Sequence, residues 1–256
     1  MEWNQWKKYY RVITEKLDIN IKEDIKAARI LSELISSKNN IENLEFDLKA
    51  IIESSNVFIY GCGPSLKRSV QNLKRIGYDG VNIAADGAIS ALLENDIYCH
   101  AQTTDLDGNM KDSIAANASG TLTIIHAHGD NIPLLRKYVQ KFQGKVVGST
   151  QVEPFDNLIN YGGFTDGDRA IFLALHFNCK RIILVGFDFG SVVGEYSKPN
   201  LKEHNAGKNK RIKLQFASYL ISEILKRYDI EILTLSDSYN IRGLKSISLE
   251  YLGTLL

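Results

Sequence analysis

From Asn56 onward, short apolar runs alternate with stretches of helical length, and that alternation leaves few folds open. The predicted strands are residues 57–60, 81–85, 100–103, 121–126, 145–149, 181–185 and 231–235, with helix-length stretches such as 69–76, 132–142 and 168–177 between most of them. Strands that alternate with helices pair in parallel and are covered on both faces, so the chain is predicted to be an α/β protein with a mainly parallel, Rossmann-like sheet. The first 55 residues carry no strand signal. Trp6, Tyr9, Tyr10, Ile13 and Leu17 recur at helical spacing, a second helix is expected over 24–35, and a third segment over 41–52 leads into the sheet. The expected organisation is a helical segment, 1–55, that acts as a cap or packing layer without chemistry of its own, followed by a Rossmann-like catalytic domain, 56–256.

The carboxyl ends of the strands in such a sheet are where ligands bind. Here those ends carry Gly and Asp repeatedly. The first strand is followed by Gly61-Cys62-Gly63-Pro64-Ser65-Leu66, the second by Asp86-Gly87-Ala88, and the third by Thr104-Asp105-Leu106-Asp107-Gly108. The fourth is followed by His126-Ala127-His128-Gly129-Asp130-Asn131, and the sixth by Gly186-Phe187-Asp188. Thr165-Asp166-Gly167-Asp168 opens the helix before the sixth strand. A polyanionic ligand held through cations and backbone amides accounts for this edge.

Each motif has a plainer reading as well. Asp105 and Asp107 stand one residue apart and repel unless a cation lies between them, which suits Mg²⁺ holding substrate phosphates. The plainer reading is an acidic turn in which Gly108 supplies a positive φ. Gly61-x-Gly63 brings backbone N–H groups to a phosphate, but Leu66 occupies the third glycine position of a dinucleotide fingerprint. With Asp86 at the next strand end, a nicotinamide or methyl-donor enzyme is an alternative. Asp166 and Asp168 are shared between capping and function, since Thr165 and Asp166 stand where an N-cap belongs. His126-x-His128-x-Asp130 resembles motifs that ligate a transition metal, but no third His is close by, and a phosphate or substrate contact is the preferred reading. His176 falls within an apolar helix and reads as structural, whereas His204 lies in the basic loop. The segment from Gly190 to about Lys210 is the longest irregular piece, of a length associated with function or disorder, and Lys208-Asn209-Lys210-Arg211-Ile212-Lys213 follows it. Such a run reads as a solvated helix face or, opposite acids and phosphates, as a clamp.

Composition narrows the class. Lys and Arg number 31 against 30 Asp and Glu, so no global field favours nucleic acid or an anionic membrane. No apolar run reaches the roughly 20 residues of a membrane span, and the amino terminus has no signal core. The three cysteines, Cys62, Cys99 and Cys179, are far apart and define neither a disulfide framework nor a zinc knuckle. A cytoplasmic protein is expected, and a homo-oligomer is compatible with the sequence.

Taken in order, these pieces, with Gly163-Phe164-Thr165-Asp166-Gly167-Asp168-Arg169-Ala170 and Val185-Gly186-Phe187-Asp188-Phe189-Gly190, make the chain resemble the archaeal 6-hydroxymethyl-7,8-dihydropterin pyrophosphokinase family. The resemblance runs through most of residues 56–215. Its domain also occurs in motility-associated glycosyltransferases, and its acid pattern is similar to that of thiamin pyrophosphokinase. The resemblance implies Mg²⁺-dependent transfer of diphosphate from ATP to the hydroxymethyl group of a reduced pterin, with release of AMP, in tetrahydromethanopterin- or folate-type pterin biosynthesis. It implies that Asp105 and Asp107 hold the metal, with Asp86 and Asp166 or Asp168 around it and His128 in contact with phosphate or substrate. It further implies that the Gly61–Leu66 loop and the lysines near 208–213, Lys208 and Lys213 among them, hold phosphates; Asp188, at the end of the sixth strand, is expected among the cofactor contacts as well. Thiamin pyrophosphokinases usually carry Ser where this chain has Gly108, which disfavours thiamin as acceptor. A nucleotide-sugar glycosyltransferase and a non-catalytic nucleotide sensor are the remaining alternatives.

Overall fold

The computed structural model describes residues 1–38, 41–198, 205–236 and 241–255. Three helices come first: α1 (Trp3–Leu17), α2 (Ile21–Ile35) and α3 (Ile41–Ile52). They are followed by β1 (Asn56–Tyr60), α4 (Leu66–Ile76), β2 (Val81–Ala85), α5 (Ala88–Leu93), β3 (Ala101–Thr104), α6 (Met110–Ala118), β4 (Leu122–Ala127) and α7 (Ile132–Tyr138). The remainder is β5 (Val146–Thr150), β6 (Leu158–Ile159), α8 (Asp166–His176), β7 (Arg181–Val185), α9 (Lys208–Arg227), β8 (Glu231–Thr234), β9 (Lys245–Ser246) and α10 (Leu249–Leu255).

Among the described residues, nine strands form one sheet in the order β6-β5-β4-β3-β2-β1-β7-β8-β9, and each neighbouring pair is parallel. The chain therefore walks outward from β1 to β6 and returns to the other side of β1 as β7. The strand order reverses between β1 and β7, and the crevice beyond such a reversal is where open α/β sheets take their ligands.

Both faces of the sheet are covered, so its strands are apolar without interruption. Successive side chains still separate cleanly between two cores, because side chains alternate along a strand. Val57, Ile59, Ile83, Ile182 and Leu184 join one core with Trp6, Ile13, Leu31 and Leu48 of the leading helices and Phe172 of α8. Phe58, Tyr60, Ala84, Ile183 and Val185 join the other with Leu66, Val70 and Leu73 of α4 and Leu92 of α5. The leading helices thus share a core with the sheet. Trp6 is fully buried and donates from Nε1 to the backbone oxygen of Gln151, 3.2 Å away.

Some details differ from the sequence reading. Strands β6 and β9 were not expected, because two residues carry no periodicity. The helix expected over 132–142 ends at Tyr138 and tightens into a 3₁₀ turn over Val139–Lys141. In the long segment, Val192 bridges Asn205, and helix starts again at Lys208. Pro199, Lys202 and His204 lie outside the described residues.

Candidate active site

The tips of β2 and β3 place the acids side by side. Ala85 pairs with Thr103 in register, so Asp86 leaves the sheet beside Thr104, and Asp105 follows one residue later. The Asp86 amide donates to the Thr103 carbonyl at 2.7 Å. The Thr104 hydroxyl donates to Asp86 Oδ1 at 2.9 Å and accepts from the Leu106 amide at 2.9 Å. Backbone strain accompanies this arrangement: Asp86 has φ 48° and Leu106 φ 71°, left-handed values that cost about 1–3 kcal/mol each outside glycine. The positive φ anticipated at Gly108 belongs to Leu106 instead. What Gly108 supplies is room, since a Cβ there would stand 2.7 Å from both Asp86 carboxylate oxygens.

Asp86, Asp105 and Asp107 each offer an oxygen, and these atoms lie within 4.8 Å of one another. Asp166, at the start of α8, faces the same group. Burial, then the charges of Asp105 and Asp107, raises the Asp86 carboxyl well above its ordinary range. Asp166 is raised for the same reasons, burial first and then Asp105 and Asp86. Burial acts upward on Asp105 too, but His128, with Nε2 3.4 Å from Asp105 Oδ2, together with Lys213 and the Asp107 amide, outweighs it and holds the carboxyl low. Three mutually repelling carboxylates at one point form a hard oxygen donor set. They fit Mg²⁺, whose charge would relieve the repulsion.

A cleft of about 640 Å³ runs along this edge. Its walls include Gly61, Cys62, Gly63, Asp86, Asp105, Asp107, His126, His128, Asp130 and Asp166, which are contributed by separate strand ends. Lys198 reaches Asp107 Oδ2 at 2.8 Å. Lys210 and Lys213 line the cleft from α9. Lys208, expected among the phosphate contacts, does not line it, because two residues along a helix turn a side chain about 200° from Lys210. Burial and then Asp86 push the Cys62 thiol upward, which disfavours a thiolate nucleophile.

Five further expected contact residues take structural roles or lie off the cleft. Asp168 is fully buried and accepts from the Thr165 and Phe164 amides at 2.5 and 3.1 Å and from the Thr165 hydroxyl at 2.7 Å. It closes a capping box on α8 and does not line the cleft. Asp188 stands at the cleft wall, but Ser65 N donates to it at 2.8 Å, Ser65 Oγ at 3.0 Å, and Ser236 Oγ also hydrogen-bonds it. Ser65 is consumed in that contact, and Leu66 is buried in the core, so neither is presented to a ligand. Pro64 is exposed outside the cleft. Gly63 is held close instead: a Cβ there would come within 2.3 Å of Asp188 Oδ2.

Other wall residues were not anticipated. Asp24 of α2, 1 % exposed, accepts from the Gly129 amide at 2.7 Å and from Gln151 Nε2 at 2.6 Å. With Leu17, Asp18, Ile19, Asn20 and Glu23 it closes the β4–β5 side of the cleft, so the leading helices do contribute to the site. Gln151 also accepts from Arg169 Nη2 at 3.4 Å. Arg169 Nε and His126 Nε2 are buried and have no hydrogen-bond partner among the described residues. Burial lowers the Arg169 guanidinium to about 10. It also drives His126 well below its ordinary value, with Arg169 and His128 adding to the effect, so the imidazole is neutral. Asn131 Nδ2 ties the tips of β3 and β4 together, donating to the oxygens of Asp105 at 2.9 Å and His126 at 2.7 Å. The signal for Asn131 was its place in the His-x-His stretch. For Asp24 the signal was an acid on the buried side of an amphipathic helix. His176 stacks on Tyr161 with centroids 3.7 Å apart, a packing role.

No described helix is long and apolar enough to cross a membrane. Comparison with solved structures finds the MAf glycosyltransferase from Magnetospirillum magneticum AMB-1, with TM-score 0.52 and 17 % identity over 81 % of this chain and 38 % of that one, a likeness of fold. Among sequences, a protein of Methanocaldococcus jannaschii named 6-hydroxymethyl-7,8-dihydropterin pyrophosphokinase is 40 % identical over 91 % of this chain and 100 % of its own. One of the same name from Pyrococcus furiosus is 42 % identical over 86 % of this chain and 93 % of its own. Residues 29–194 match the family model described as 6-hydroxymethylpterin diphosphokinase MptE-like. On that match and those relatives, the chain belongs to the MptE-like family of 6-hydroxymethylpterin diphosphokinases and is an enzyme of the diphosphotransferase class.

Proposed function

We propose that the chain is a cytoplasmic, Mg²⁺-dependent pyrophosphokinase that transfers the terminal diphosphate of ATP to the hydroxymethyl group of 6-hydroxymethyl-7,8-dihydropterin and releases AMP. The observation that carries this reading is the meeting of Asp86, Asp105 and Asp107 within 4.8 Å at two adjacent strand tips. The reading follows the names of the relatives for the acceptor and the chemistry of the cleft for the donor.

The nucleotide is assigned to the strand reversal between β1 and β7, where Gly61 and Gly63 leave the cleft wall clear of side-chain bulk while their own amides donate to the Val185 and Gly186 carbonyls at 2.8 Å. The pterin is assigned to the opposite side of the acids, between the tips of β4 and β5 and the wall made by α2. Neighbouring strands lie about 4.8 Å apart, so the carboxylates of β2 and β3 stand between the two substrates. Asp86, Asp105 and Asp107 would hold the metal, which when bound neutralises charge on the phosphate oxygens. Lys210 and Lys213 restrain the phosphates by charge. In the transfer, the pterin hydroxyl oxygen bonds to the β-phosphorus while the bond from that phosphorus to the α-phosphate oxygen breaks, and AMP departs with the electron pair. Asp166, at the cleft wall beside these acids, would accept the hydroxyl proton once a divalent ion's charge keeps it ionised. His128 orients Asp105 through its 3.4 Å contact. Most of the rate enhancement then comes from alignment and charge neutralisation.

The test is incubation with ATP, Mg²⁺ and the reduced hydroxymethylpterin. The expected products are AMP and a pterin diphosphate in equal amounts. Formation of ADP, or turnover of a nucleotide sugar with no AMP from ATP, would overturn the assignment.

A further inference from the structure

Lys198 comes from the segment that follows β7, and its position is set by close backbone packing. The Gly194 amide donates to the Cys62 carbonyl at 3.0 Å, and the Ser197 amide donates to the Gly194 carbonyl at 3.1 Å. A Cβ on Gly194 would sit 2.5 Å from the Gly63 carbonyl oxygen, and one on Gly87 would sit 1.8 Å from that of Tyr196. The segment is therefore pressed onto the turns after β1 and β2, with glycine on each side of the contact. Its stem carries Lys198 Nζ to 2.8 Å from Asp107 Oδ2, the outermost acid of the cluster, and both side chains remain partly exposed.

That oxygen is one of the acidic cluster's few accessible donors, and it cannot serve an ammonium and a divalent ion equally well at once. Lysine is a point charge on a flexible four-carbon stem, so it can leave the carboxylate without moving the backbone that anchors it. The anion that would arrive with a divalent ion in this cleft is a phosphate chain. We infer that Lys198 is a positioning residue that changes partner: it neutralises Asp107 in the nucleotide-free enzyme and transfers to the nucleotide phosphates when the divalent ion takes Asp107. The inference rests on the assignment of a metal–nucleotide substrate to this cleft and adds to it a residue that lies outside the strand ends.

The two halves of this role predict effects of opposite sign from one substitution. In Lys198→Gln, Mn²⁺ affinity of the nucleotide-free protein, read from the free-ion electron paramagnetic resonance signal, is expected to rise about two- to fivefold, as loss of an exposed ion pair allows. Affinity for a non-hydrolysable ATP analogue with Mg²⁺, measured by calorimetry, is expected to fall at least about tenfold, the worth of a charge-assisted hydrogen bond. Lys198→Arg, which keeps the charge, is expected to stay near the wild-type value in both. Either an unchanged or lowered Mn²⁺ affinity in Lys198→Gln, or an unchanged analogue affinity, overturns the inference. If the wild-type protein itself binds no analogue, the nucleotide reading of the cleft falls, and that control separates the two failures.

Discussion

Asp105 and Asp188 each follow a buried strand of the same parallel sheet, and each has glycine nearby, yet the two regions treat a carboxylate in opposite ways. After β7, Asp188 receives hydrogen bonds from Ser65 N, Ser65 Oγ and Ser236 Oγ and becomes a tie between three loops. After β2 and β3, the carboxylates of Asp86, Asp105 and Asp107 crowd one another, with the His128 imidazole 3.4 Å from Asp105 and the Lys198 ammonium 2.8 Å from Asp107. A satisfied acid stabilises the fold. A crowded one costs stability that a ligand can recover. The same residue type at the same edge of one sheet thus divides into scaffold and site according to what else arrives there.

The sharpest way to break that division is Asp105→Asn. It is expected to lower AMP formation by about 100- to 1000-fold, the range for loss of a group that stabilises developing charge. Its melting temperature is expected to change little, because the lost contact with His128 is offset by relief of the repulsion on Asp86 and Asp166. An enzyme that kept its rate would remove Asp105 from the site. Asp188→Ala is expected to do the reverse first, destabilising by about 2–4 kcal/mol as Ser65 and Ser236 lose their acceptor, with residual activity in the folded fraction. Denaturant unfolding checks it, and a midpoint equal to wild type would erase the distinction drawn here.

Gly108→Ala sharpens the comparison from the backbone side. The added methyl would press on both Asp86 oxygens at 2.7 Å, and a cost of about 1–3 kcal/mol is expected from overpacking, together with weaker divalent-ion binding by calorimetry. The smallest effect concerns pH. Asp86 and Asp166 hold protons more tightly folded than unfolded, through burial and then their acidic neighbours. The stability contributed by their neutral forms is full below the ordinary value of 3.8 and is lost as pH rises through their raised folded values. Asp105, held low by His128, acts in the other direction and only below 3.8. In chelator, the melting temperature is therefore expected to fall with pH above that point, and Mg²⁺ to restore a few degrees, more at the upper end than the lower. A Mg²⁺ effect independent of pH would show that the acids are not what the ion relieves.

Much of this was readable in the residues. Apolar runs bounded by helix-length segments gave the seven longer strands to within a residue or two, since strands buried on both faces need no alternation to be recognised. Asp86, Asp105 and Asp107 were recognisable as tip residues of neighbouring strands. Their neighbours were harder to sort. Thr165 with an acid three residues on is a capping box, a local signal that could have separated Asp168, the cap, from Asp166 at the cleft, although the sequence reading shared both between the two roles. Asp188 gave no such signal, because Ser65 is 123 residues away in the chain and Ser236 is 48 away. Asp24 and Gln151 meet across 127 residues, and no spacing rule reaches that far. Lys198 stood out only as one of several lysines in an irregular segment, because its aim depends on how Gly194 and Tyr196 sit against other turns.

The reach of those long-range contacts also bears on how the chain is made. Helices α1 and α2 are made before the strands they pack on: Trp6 finds its acceptor 145 residues later and Asp24 its amide donor 105 residues later. Until β4 and β5 emerge, two amphipathic helices carry apolar sides with nothing to lie on, the condition in which nascent chains stick to one another or to chaperones. The α2 wall of the cleft is thus synthesised well before the strand ends that it meets at Gly129 and Gln151.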